Sequence, residues 1–114
     1  LVEDDAIMRQ MTRKVLEEHG YRVRDAEDGR SALRIMESDH ASIDLVLTDV
    51  VMNGMNGPEL VLQLIVSHPA MKVVYMSGYT GELIANQGID GGIRLLEKPF
   101  TRADLLKTLD AVLG

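Results

Sequence analysis

The chain of 114 residues contains no cysteine. That absence excludes thiol redox chemistry and Cys-based zinc sites. It fits a cytosolic protein, and at this length a single hydrophobic core holds a fold without disulfides. Long apolar runs are missing too. None approaches the roughly 18–20 residues of a membrane span, and no signal peptide is visible. Positive charge is short: 12 Lys and Arg face 18 Asp and Glu, for a net charge of -6. Nucleic-acid binding over the whole surface needs the opposite balance, whereas cations and basic partners suit this one. There is no Gly-rich phosphate loop, linker, low-complexity tract or internal repeat.

What is present reads as one globular domain over residues 1–114, with 46% hydrophobic and 26% charged residues. Short apolar runs alternate with helical patterns. Leu1-Val2 is the stub of a strand. Strands usually run about 5–6 residues, so the first strand is expected to begin upstream of Leu1. Ile7, Met8, Met11, Val15 and Leu16 keep helical spacing, and Gly20 closes that helix. A short strand is predicted from Tyr21 to Asp25, then a helix marked by Ala32, Leu33 and Met36. "IDLVLTD" is almost continuously apolar, the pattern of a parallel strand covered on both faces. Leu60, Val61, Leu64 and Ile65 mark a third helix that stops at His68-Pro69. "KVVYM" is a fourth strand, "GELIANQG" a short fourth helix, and "IRLLE" a fifth strand. Leu105, Leu106, Leu109, Val112 and Leu113 mark the last helix, entered through a Thr101/Asp104 capping box.

Five such alternations predict an α/β fold, a parallel sheet with helices on both faces. Function in such sheets gathers beyond the carboxyl ends of the strands. Glu3, Asp4 and Asp5 follow the first strand. Thr48-Asp49 ends the third, Ser77-Gly78 follows the fourth, and Lys98-Pro99 follows the fifth. Carboxylates, a hydroxyl and an ammonium therefore converge on one edge. One lysine does not neutralise three acids; a hard divalent cation with oxygen ligands does, and Mg²⁺ is the usual choice beside phosphate. Such a site suits phosphoryl transfer, with Asp49 as a carboxylate nucleophile.

Four motifs, "ED", "LTDVVM", "MSGY" and "EKPF", stand in order, each at a strand end. With them the chain resembles the receiver domain of bacterial two-component signalling. The resemblance implies a flavodoxin-like (βα)5 three-layer sandwich with a five-stranded parallel sheet of order 2-1-3-4-5. It implies that Asp49 accepts the phosphoryl group. Glu3, Asp4, Asp49 and the backbone carbonyl of Val51 would hold Mg²⁺, Asp4 more directly than Glu3. Ser77 would contact the phosphoryl group and Lys98 would pair with it. The Lys98-Pro99 bond would be cis. The donor would be a histidine kinase or a histidine phosphotransfer domain. The new charge would bias the surface formed by the fourth helix, fifth strand and fifth helix toward an effector or fused domain. The domain itself would touch neither nucleic acid nor membrane. It would sit in the cytoplasm, alone or as the cytoplasmic part of a membrane-bound hybrid kinase; "MSGYT" with "LLEKPF" is similar to receivers of hybrid kinases. Its only catalysis would be of its own phosphorylation and dephosphorylation.

Three departures stand out. Met52-Asn53-Gly54 replaces a Met-Pro loop. Leu95 takes the position of an aromatic switch. Tyr79 and Val51 occupy positions that tune phosphate lifetime. Two other readings compete. One is a pseudo-receiver that binds partners without phosphate. The other is a flavodoxin-like FMN binder, whose phosphate the acids after strand one would repel. Asp5 reads as the cap of the first helix, and the acidic stretch Asp25 to Asp28 as solvated. The seven Met read as core filler. His19, His40 and His68 stand singly and face solvent.

Overall fold

The computed structural model describes residues 1–78 and 94–114. Helix α1 (Ala6–Glu18) starts where Asp5 accepts hydrogen bonds from the amides of Ile7 and Met8 at 2.9 and 3.0 Å. It ends at Gly20, whose φ of 93° places it in the left-handed region. There the amides of Gly20 and Tyr21 close on the carbonyls of Glu17 and Leu16. Helix α2 (Gly29–Asp39) is capped by Asp28, which accepts from the Ser31 amide at 2.8 Å. A 3-10 turn, His40–Ser42, leads into β1 (Leu45–Asp49). Asn56 caps α3 (Gly57–Ser67), Pro58 sits in its first turn, and the helix stops before His68-Pro69. Strands β2 (Lys72–Ser77) and β3 (Arg94–Glu97) follow. The last described helix, α4 (Arg102–Leu113), opens on the reciprocal Thr101/Asp104 capping box. The expected helix at "GELIANQG" lies outside the described residues.

Strands β1, β2 and β3 form a parallel sheet in that order, with Asp49 opposite Met76 and Ser77 opposite Glu97. Apolar residues of β1 and β2 alternate between its two faces. Val46, Val73 and Tyr75 pack with Ala32, Met36, Leu60, Val61 and Leu64 from α2 and α3. Leu47, Val74 and Met76 pack with Leu16, Leu105 and Leu109 from α1 and α4. The chain is thus an α/β fold with helices flanking a parallel sheet on both faces.

Beside β1 the pairing is sparser than the sequence suggests. Val2 bridges Thr48 on one side and Ala26 on the other, both in parallel sense. Tyr21 to Asp25 forms no strand: the pairing falls at Ala26, with Ala26 N–H on Leu1 O at 2.8 Å and Glu3 N–H on Ala26 O at 3.1 Å. The histidines also differ from expectation. His40 and His68 are not single; their rings stack at 4.8 Å. None of the helices among the described residues is long and apolar enough to cross a membrane.

Candidate functional site

Val2 and β1 run parallel, so their following residues emerge at the same edge. Glu3 and Asp49 are buried there, 2% and 4% exposed, while Asp4 reaches solvent. Each of the three acids offers one carboxylate oxygen, and these oxygens all lie within 4.8 Å of one another. Lys98 comes from the end of β3, where its amide donates to the Ser77 carbonyl at 2.7 Å. Its Nζ lies 2.8 Å from Glu3 Oε2 and 2.5 Å from Asp49 Oδ1. One ammonium thus faces two buried carboxylates, with a third acid alongside.

The charges of this cluster are coupled. Burial pushes Asp49 up to about 8, and its hydrogen bond with Glu3 adds to the rise, against the pull of Lys98. Glu3 goes the other way. Burial opposes its ionisation, but hydrogen bonds with Asp49, Lys98 and the Asp5 amide outweigh it and hold Glu3 below its ordinary value. Lys98 is likewise held above its ordinary value by both acids despite burial. Burial thus raises Asp49, and the contacts with Asp49 and Lys98 hold Glu3 down, so ionisation of the pair is easier at Glu3 than at Asp49, with Lys98 as the cation facing both.

The donor set fits a hard divalent cation. It is all oxygen, and its negative charge exceeds what Lys98 neutralises once Asp49 ionises. The acidic cluster is positioned to coordinate such an ion, in keeping with Mg²⁺-dependent chemistry.

Ser77, the last residue of β2, is 3% exposed, beside the Lys98 backbone. Val51, two residues past Asp49, has an exposed side chain. Leu95 is partly buried and pairs with Tyr75 across β2 and β3. The Lys98-Pro99 peptide is cis. Tyr79 lies outside the described residues.

Sequence reasoning missed the groups that hold the acids. Asp25 is not simply solvated: Arg9 Nε lies 3.3 Å and Arg13 Nη1 2.5 Å from its carboxylate. Arg9 Nη1 also donates to the Glu3 carbonyl at 2.8 Å. The only signal was position, since Arg9 stands one helical turn past Asp5. Asn53 matters through its backbone, whose N–H donates to Asp4 Oδ2 at 3.3 Å. Proline at that position has no N–H to give. Asn53→Pro is expected to weaken Mg²⁺ binding about threefold, as befits one ordinary hydrogen bond. Asn53→Ala, which keeps the amide, should leave it unchanged; a calorimetric titration of both variants decides.

Comparison with known proteins agrees with this geometry. The sequence model of the family described as "Response regulator receiver domain" matches residues 1–110. The chain belongs to this family. Its function is that of receivers: phosphorylation-dependent signalling. The chain is 38% identical over 114 residues to "Sensor kinase CckA" of Brucella abortus (strain 2308), a match covering 99% of this chain but 12% of that protein. It is 32% identical over 114 residues to "Response regulator receiver protein CpdR" of the same organism, covering 99% of this chain and 93% of that protein. The crystal structure of the receiver domain from hybrid histidine kinase CckA superposes with a TM-score of 0.85 at 31% identity. It covers 99% of this chain and 95% of that one.

Proposed function

We propose that Asp49 of this receiver accepts a phosphoryl group from a phosphohistidine on a histidine kinase or histidine phosphotransfer domain. The observation that carries this reading is Asp49 itself. It is a buried carboxylate at the end of β1, clustered with Glu3 and Asp4, and Lys98 Nζ lies 2.5 Å from it. In the transfer, the N–P bond of a phosphohistidine protonated on its other ring nitrogen breaks and an Asp49 O–P bond forms; the N–P electron pair stays on the ring, which leaves as a neutral imidazole. Asp49 attacks only as the anion, so the proton it shares with Glu3 must leave first. Lys98 then faces the phosphoryl oxygens, and the Ser77 hydroxyl donates a hydrogen bond to them. Glu3, Asp4, Asp49 and the Val51 carbonyl would hold Mg²⁺, which supplies positive charge for the transferring group. Ile7 and Met11, exposed at i, i+4 on α1, offer apolar ground for a protein donor.

Residues 1–114 act as one receiver domain, whose sheet completes to five strands in the order 2-1-3-4-5. The two bridges of Val2, to Ala26 and to Thr48, support that order. The likeness to a sensor kinase supports a hybrid-kinase context in the cytoplasm, and the likeness to a single-receiver response regulator a stand-alone one. Phosphorylation then favours contact with an effector or a fused domain. Leu95 leaves Ser77 without an aromatic swing at its side, and Val51 and Tyr79 set the phosphate lifetime.

The test is incubation with a small phosphodonor and Mg²⁺, followed by intact mass. One added phosphoryl group is expected on the natural chain and none on Asp49→Asn. Equal incorporation in both would sink the assignment, and no incorporation in either would favour the pseudo-receiver reading.

A further inference from the structure

The acid after the first strand is gripped by its main chain as well as its side chain. Glu3 N–H donates to Ala26 O at 3.1 Å, and Glu3 O accepts from Arg9 Nη1 at 2.8 Å. The same guanidinium turns its Nε toward Asp25, the neighbour of Ala26, at 3.3 Å. The Arg9 side chain is 18% exposed and that of Asp25 27%. Arg13 reaches Asp25 from the next turn of α1 at 2.5 Å and is itself tied to Glu17 at 3.1 Å. Asp25 is thus fixed on one side by Arg13, and its other oxygen orients Arg9. The planar fork of arginine makes both contacts at once; a lysine ammonium has neither the span nor the geometry.

We infer that Arg9, braced by Asp25, is a positioning residue for the acidic cluster: it sets the Glu3 main chain so that Glu3 and Asp4 face Asp49. The role rests on the metal reading proposed above. Orientation of this kind is worth much to a cation site, because ligands left free must be ordered when the ion binds. Arg9 touches neither the expected ion nor the phosphoryl group.

The sign of the effect separates positioning from charge. Arg9 is a cation beside a cation site. If only its charge mattered, removing it would tighten Mg²⁺ binding, and Arg9→Lys would change nothing. Positioning predicts the reverse. Arg9→Met, which keeps the apolar stem, should raise the Mg²⁺ dissociation constant about tenfold. Arg9→Lys should recover only part of the loss. Asp25→Asn, which keeps Arg9 but loosens its brace, should weaken binding in the same direction by a smaller factor.

The readout is a Mg²⁺ titration of the whole chain followed by amide NMR shifts, with thermal unfolding recorded for each variant. Should Arg9→Met not fold, the charge-conserving Arg9→Lys titration decides. Mg²⁺ binding that is unchanged or tighter in the folded variants overturns the role of Arg9 alone. A natural chain that takes up no Mg²⁺ overturns the metal reading, and the role of Arg9 with it.

Discussion

Lys98→Met is expected to destabilise the metal-free protein by about 3 kcal/mol near pH 8, the scale of breaking a buried ion pair from one side. The residue is the counter-ion common to Glu3 and Asp49, both nearly inaccessible to water. The loss should depend on pH. Glu3 is held below its ordinary 4.5, so the stability it contributes is present above that value and fades as pH falls. Lys98 is held above its ordinary 10.5, so its contribution persists until pH rises past that range. Asp49 runs opposite to Glu3. It is pushed from 3.8 up to about 8, so folding is increasingly penalised as pH climbs through that window. Near pH 5, then, Lys98→Met leaves one carboxylate uncompensated; near pH 9 it leaves two. The cost should grow accordingly. Asp49→Asn should do the reverse, removing the penalty, so that its gain over the natural chain grows from about pH 5 to about pH 9. Urea unfolding with a chelator present, at about pH 5, 7 and 9, measures both. A Lys98→Met cost that is the same at pH 5 and 9 would rule out this account of the cluster.

The pH dependence bears on how the site is used. With Asp49 pushed up to about 8, a cation and a proton would compete for the same oxygens. A divalent ion held by Glu3, Asp4 and Asp49 would displace the proton and favour the Asp49 carboxylate. Ionising Asp49 thus costs the empty fold stability, whereas ionised Glu3, tied to Lys98, contributes to it.

Features encoded by near neighbours were legible in the sequence. Asp5 caps α1 and the Thr101/Asp104 box opens α4, because a cap is decided by residues two or three positions apart. The burial of β1 was equally plain, since a continuous apolar run leaves a strand no polar face. The convergence of Glu3, Asp4, Asp49 and Lys98 followed from one rule about strand ends. Pairings without a periodic signal were not legible. Arg9 meets Asp25, and His40 meets His68, only because of how the helices pack. The Tyr21 to Asp25 segment alternates between half-buried and exposed side chains as a strand's would, and its pairing is carried by the bridge of Ala26 to Val2. The Asn53 contact uses a backbone N–H, which every residue but proline carries, so the residue type at 53 gives no hint of it.

Gly57→Ala should be the most damaging Gly→Ala change among the described glycines, although alanine is the better helix former. Gly57 opens α3, and a Cβ there would stand 2.2 Å from the Asp49 carbonyl oxygen and 3.0 Å from Val50 Cα. Both obstacles are backbone and do not rotate away. The end of β1 is pinned from two sides, by Asp49 N–H on Val2 O and by Val50 N–H on Met76 O, each at 3.0 Å. The start of α3 must therefore move instead. That breaks the 2.8 Å bond from Gly57 N–H to Val50 O and drags the loop that carries Val51 and Asn53. A cost of about 2–3 kcal/mol is expected, as for other overpacked interiors, with a fall in Tm of about 10 °C. Mg²⁺ binding should weaken along with it, because the displaced loop holds Asp4. Gly29 provides the contrast. A Cβ there would meet only the Met55 side chain, Sδ at 2.8 Å, Cβ at 3.1 Å and Cγ at 3.3 Å; the sulfur end can swing aside, and the Cβ contact asks for a small shift. Gly29→Ala should therefore cost clearly less than Gly57→Ala. If thermal unfolding showed the two substitutions costing the same, the close approach of α3 to the Asp49 backbone would not be what demands glycine at position 57.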